Sequence, residues 1–176
     1  MAKVIKCDLS VDSLENAITE LEEYRKSITD KLDAFITALL SVGISEAKSR
    51  LASTIGDSTS ASIGSSIPVK TGNKIVATIF LIGKDALFIE FGAGIYYNNG
   101  NAHPDAAQFG YGVGTYPSKN PPNKAINPGY WYWYEDTGNG RVAHLSLGTK
   151  ASMPIYFASE TMRNQAIQKA IEVFRS

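Results

Sequence analysis

Glu90 is the residue in this chain best placed to do chemistry: it is the lone carboxylate of the apolar run Ala86-Leu87-Phe88-Ile89-Glu90-Phe91, which ends at Gly92-Ala93-Gly94. A carboxylate in such a setting is either a strand-end group reaching water or a buried acid available for proton transfer. The second role needs a partner, and the sequence offers few. Of the two histidines, His103 precedes Pro104-Asp105 and reads as a turn residue, while His144 reads as a half-buried strand position. Neither has the one-turn spacing of a metal-ligand pair. Cys7 is the single cysteine, which excludes an intrachain disulfide and a thiolate cluster. Gly110-Tyr111-Gly112-Val113-Gly114 lacks the last spacing of the dinucleotide fingerprint, and no P-loop lysine follows it. Ile63-Gly64-Ser65-Ser66 does not complete a nucleophile elbow. No catalytic residue, metal site or cofactor site is expected, and the chain is not expected to be an enzyme.

Composition narrows the partners. Seventeen Lys and Arg balance seventeen Asp and Glu, so no global charge draws the protein to nucleic acid or to an anionic membrane. The start, Met1-Ala2-Lys3-Val4-Ile5-Lys6-Cys7-Asp8, has no signal-peptide core, which points to synthesis in the cytoplasm. No apolar run approaches the roughly 20 residues that cross a bilayer, and a soluble protein is expected. The 176 residues suit one domain spanning 1–176.

The elements that must position Glu90 fall into three blocks. Residues 12–55 read as helical. Asp12-Ser13-Leu14-Glu15 resembles an N-cap followed by an acidic residue, and Leu14, Ile18, Leu21, Ile28, Leu32, Phe35 and Leu39 then recur at spacings of three and four. Arg25 lies on the same stripe as its one break. A helix reaching about Leu40 would be roughly 42 Å long, enough for part of it to project or meet another subunit. The stripe is heptad-like, so a coiled-coil dimer stands beside packing on the protein's own sheet. Gly43 is expected to end or bend this helix, with a short second helix over 45–55. Residues 56–72, rich in Ser, Thr and Gly, read as a flexible loop.

Residues 74–91 read as an antiparallel hairpin with Gly83-Lys84-Asp85 as its turn. Residues 92–129 read as a long loop ordered by Tyr96, Tyr97, Tyr111 and Tyr116. Residues 130–148 read as a second hairpin turning at Gly138-Asn139-Gly140. Residues 153–175 read as a C-terminal helix with Pro154 in its first turn. The predicted class is α+β, with the two helices packed on a mainly antiparallel sheet. Along 130–134, Tyr130, Tyr132 and Tyr134 face one way and Trp131 and Trp133 the other. An exposed aromatic ladder of that kind would suit a carbohydrate-binding module, the alternative functional reading.

The order of elements, with Phe88-Ile89-Glu90-Phe91-Gly92 closing a strand and Met153-Pro154-Ile155-Tyr156-Phe157-Ala158-Ser159-Glu160 opening the last helix, resembles the tail-completion (neck, head-tail joining) proteins of long-tailed double-stranded DNA phages. Ser152-Met153 stand where that family commonly has an arginine before the proline. The resemblance implies a structural virion protein made in the host bacterial cytoplasm. It implies a homo-oligomeric ring, expected to be a hexamer, at the top of the tail tube. The ring's partners would be the tail-tube protein and the head-tail connector or stopper, and DNA would pass through its lumen without sequence-specific binding. It implies no cofactor, metal or membrane. Candidate interface residues are Glu90, Tyr96, Tyr97, Tyr111, Tyr130, Trp131, Tyr132, Trp133 and Tyr134.

Overall fold

A computed structural model of the protein describes residues 4–54, 61–72, 74–94, 103–113, 131–146 and 148–175. The class is α+β. Its largest element is α1 (Val11–Thr54), 44 residues in one unbroken helix and therefore roughly 66 Å long. The cap lies two residues earlier than expected. Ser10 Oγ accepts the Ser13 amide at 3.3 Å, and Ser10 is itself held by Asp8, whose Oδ1 accepts the Ser10 amide at 2.8 Å.

Gly43 neither ends nor bends α1. A Cβ there would lie 2.6 Å from Ile79 Cδ1 and 2.7 Å from Met162 Sδ, so the glycine marks a point of close crossing. The expected second helix over 45–55 is the continuation of α1, and Ala47, one turn past Gly43, is fully buried. α3 (Pro154–Arg175) lies antiparallel along this half of α1. Near its start the Arg50 guanidinium sits 3.8 Å above the Phe157 ring; near its end Phe174 meets Phe35 at 6.4 Å and its carbonyl accepts from Lys31 Nζ at 3.5 Å. At 22 residues α3 covers roughly 33 Å, so the first half of α1 runs on past its end.

The strands form four separate antiparallel or parallel pairs among the described residues. β1 (Ser62–Ser65) pairs with β4 (Ile79–Ile82), and β2 (Val69–Thr71) pairs with β3 (Lys74–Val76), both antiparallel. Together they make one long hairpin with a bulge: the register shifts by one residue between Ser65↔Ile79 and Val69↔Val76, leaving Ile67-Pro68 opposite Ala77. Pro68 has no N–H to contribute there, and the Ser66 hydroxyl accepts the Thr78 amide at 2.9 Å instead. Gly64 pairs with Phe80, whose ring lies across it where a Cβ would approach to 2.3 Å.

Two expectations are corrected by this hairpin. Of the segment 56–72, residues 56–60 lie outside the described residues and 61–72 carry β1 and β2 where a flexible loop was expected, and residues 74–82 pair backwards onto these strands instead of forwards onto 86–91. The run 86–91 is a helix, α2 (Ala86–Phe91). The Asp85 carbonyl accepts the Ile89 amide at 2.9 Å, and the helix closes where Gly92, at φ 74°, donates its amide to the Phe88 carbonyl at 2.8 Å.

The described part of the expected long loop is also structured. β5 (Ala93–Gly94) runs parallel to β6 (Gly112–Val113), with a 3-10 turn over Ala107–Phe109 between them. Ala93 also exchanges both backbone hydrogen bonds with Thr149, at 2.9 and 2.8 Å. β7 (Trp131–Asp136) and β8 (Arg141–Ser146) form the second hairpin, in register from Trp131↔Ser146 to Asp136↔Arg141. Ile89, Ala93, Ala106, Met153, Pro154 and Ala158 are buried, so the core gathers where α2, β5 and the start of α3 meet.

Candidate functional site

Three segments distant in sequence converge on Glu90. α2 delivers its last turn, with Ile89 and Glu90 both buried. The chain ahead of α3 is laid against it by the Ala93 and Thr149 exchange and by Ser152, whose amide donates to the Ile89 carbonyl at 2.9 Å. Gly92 permits that approach: a Cβ on it would stand 2.9 Å from the Ala151 backbone nitrogen. Residues 103–111 close the third side.

The start of α3 explains what Glu90 does. The first amides of a helix lack intrahelical acceptors, and the residue before the helix ordinarily supplies a side-chain oxygen. Met153 holds that position and has none; it is also the one described non-glycine residue at positive φ, 53°. Pro154, first in the helix, has no amide proton to satisfy. The Ile155 amide donates to Glu90 Oε2 and the Tyr156 amide to Glu90 Oε1, each at 2.9 Å. The Phe157 amide donates to the Met153 carbonyl at 3.0 Å. Every amide of the first turn thus has a partner, and the carboxylate faces the positive end of the helix.

His103 completes the arrangement. It is 7% exposed, its Nδ1 accepts the Asp105 amide at 3.0 Å, and its Nε2 lies 3.4 Å from Glu90 Oε1. With Nδ1 accepting, the proton of a neutral ring sits on Nε2 and points to the carboxylate. The ring is held edge-on by Phe91 and Tyr156, at 4.6 and 5.1 Å between centroids. Phe91 in turn stacks on Tyr111 at 5.6 Å and leans on Phe109 at 5.2 Å. An open cavity of about 550 Å³ adjoins this cluster, bordered by Phe80, Leu87, Phe109, Tyr156 and Arg163 as well as Glu90 and His103.

Both oxygens of Glu90 therefore serve the fold. The residue is in a helix, not at a strand end; it is buried, not in water; and the amides it satisfies belong to α3, 65 and 66 residues away, not to its own turn. A carboxylate used this way inside its own chain is not presented to a neighbouring subunit. Tyr111 joins the same cluster through Phe91, whereas Tyr134 is 57% exposed on the separate β7–β8 hairpin. The backbones of Trp131, Tyr132 and Trp133 pair with Ser146, Leu145 and His144, and Tyr96, Tyr97 and Tyr130 lie outside the described residues.

Comparison with known proteins gives no assignment. No family model, no curated protein and no solved structure matches the chain. Among the described residues no group of three or more His, Cys, Asp or Glu is placed to hold a metal, and no helix is long and apolar enough to cross a membrane. Sequence reasoning missed His103 and Tyr156. The one available signal was negative: a helix beginning Met153-Pro154 has no capping oxygen of its own, so its cap has to come from elsewhere in the chain.

Proposed function

We propose that this chain is a structural virion protein of a phage neck, a ring-forming tail-completion component that closes the tail tube and joins it to the head connector. The observation that carries the reading is the meeting of Phe88-Ile89-Glu90-Phe91-Gly92 with Met153-Pro154-Ile155-Tyr156. These two short segments, on which the family resemblance rests, are knit into one unit by the Glu90 carboxylate. Their shared job is architectural, fixing where the last helix starts, and it gives a physical reason for the glutamate, the glycine and the Met-Pro step to occur together. The fold also leaves broad apolar surfaces uncovered, including Leu87 on α2 and much of α1, as a subunit of a larger assembly requires.

The test is electron microscopy of tail tubes incubated with the purified protein and then with connector complexes. Rings capping one tube end, and tubes joined to connectors only when the protein is present, are the expected result. Bare tube ends at saturating protein overturn the proposal.

A further inference from the structure

The first half of α1 reaches beyond α3 and carries an apolar seam that stays open to solvent: Leu14, Ile18, Leu21, Ile28 and Leu32 are between 37% and 57% exposed. With Arg25 these positions alternate spacings of four and three, and the alternation continues into Phe35 and Leu39. Phe35 already packs on Phe174 at the end of α3. One heptad seam thus runs along α1, its second half occupied by α3 and its first half open.

We infer that the open half is occupied by the same segment of a second copy, in antiparallel orientation. Charge selects the partner and its direction. Residues 11–23 hold five acids, Asp12, Glu15, Glu20, Glu22 and Glu23, and no Lys or Arg; residues 24–35 hold Arg25, Lys26 and Lys31 against Asp30 and Asp33. A parallel pair sets acid beside acid and stacks Arg25 on its own copy. An antiparallel pair sets the acidic half on the basic half, places Leu14 opposite Leu32 and Ile18 opposite Ile28 of the second copy, and brings Arg25 beside the other Glu22.

Continuity with the intramolecular packing gives the same direction independently. α3 runs antiparallel to α1 and ends beside Lys31 and Phe35. A second α1 that pairs antiparallel runs the same way as α3, and its first turn comes level with the last turn of α3, beside Lys31 and Phe35. Each copy's globular half then lies beyond the other's N-terminus, whereas a parallel copy would carry its second half into α3.

The pairing is independent of the neck assignment, and the experiment separates them, since neither tail tubes nor connectors are present. Two variants in a Cys7→Ser background, Ile18→Cys and Ile28→Cys, one carrying a size tag, are mixed and oxidised. The pairing predicts a disulfide between the two different variants, with same-variant dimers minor. Same-variant dimers as the main product mean a parallel pair, and absence of any dimer means no pairing; either overturns the inference. Sedimentation of the unmodified chain provides the second readout. Ile18→Glu, at an exposed position that leaves the monomer's melting unchanged, sets a carboxylate against Ile28 of the other copy and weakens dimerisation by about a hundredfold, because the layer is lost twice in a symmetric pair. Arg25→Glu weakens it as well, and Glu22→Lys added to Arg25→Glu restores it. A monomer at all concentrations, or a dimer indifferent to Ile18→Glu, contradicts the inference.

Discussion

Replacing Glu90 with glutamine isolates the chemistry of the α3 cap from its shape. The amide is isosteric, so packing around Ile89, Phe91 and Tyr156 is kept. Its NH₂ must point either at the Ile155 amide or at the Tyr156 amide and His103 Nε2, all of which are donors at 2.9 to 3.4 Å from the present oxygens. One backbone amide is then left buried without an acceptor, at a cost of about 1–3 kcal/mol. Removing the negative charge from the helix N-terminus costs about 0.3–1 kcal/mol, rising to about 2 in partly buried geometry. The expected loss is about 3 kcal/mol, which lowers the midpoint of thermal unfolding by roughly 6–12 °C for a chain of this size. Urea unfolding followed by circular dichroism measures it, and hydrogen exchange at Ile155 and Tyr156 reports whether the first turn of α3 opens before the rest. A Glu90→Gln protein within about 0.5 kcal/mol of the parent, with the first turn of α3 equally protected, would refute the capping role.

Gly92→Ala is expected to destabilise by about 2–4 kcal/mol, since it adds a positive-φ penalty to a backbone clash at Ala151, whereas Gly110→Ala, at a similar φ of 73° but with open space around it, is expected to cost only about 1–2 kcal/mol; urea midpoints of the two variants compare them directly. Gly43→Ala is expected to stay within about 1 kcal/mol of the parent, because its helix-propensity gain offsets displacement of the movable tips of Ile79 and Met162, while Gly43→Leu is expected to lose about 2 kcal/mol or more by the same measurement. The Asp8 carboxyl is held below its ordinary pKa chiefly by the Ser10 hydroxyl and then by the Ser10 amide. A depressed carboxyl stabilises the folded form above its unfolded pKa and loses that contribution as pH falls through the folded one, so the first turn of α1 is expected to fray in acid. Amide exchange at Ser13 and Leu14 should accelerate relative to the helix centre on acidification, and Asp8→Asn should remove the difference.

The elements defined by long periodic signals were legible in the sequence, and those defined by distant partners were not. The three-four spacing from Leu14 to Leu39 marks α1, and Pro154 marks the start of α3. Gly43 misleads because a mid-helix glycine is read as a break, while here the helix runs on through it and the tips of Ile79 and Met162 come close to its backbone. Ala86–Phe91 misleads because five apolar residues and one glutamate in so short a run carry no period that separates a helical turn from a buried strand. β1, Ser-Ile-Gly-Ser, lacks strand propensity, and its pairing with β4 is fixed by Phe80 lying over Gly64. Glu90 was singled out from its own neighbours, but its role depends on amides that only the fold brings to it.

Native mass spectrometry of the purified protein mixed with tail tubes tests the neck assignment most directly. The assignment predicts a closed ring of a single copy number, expected to be six, that appears with the tubes and stays bound to them. Only monomers, or only the pair formed through α1, with no species retained on the tubes, would contradict it.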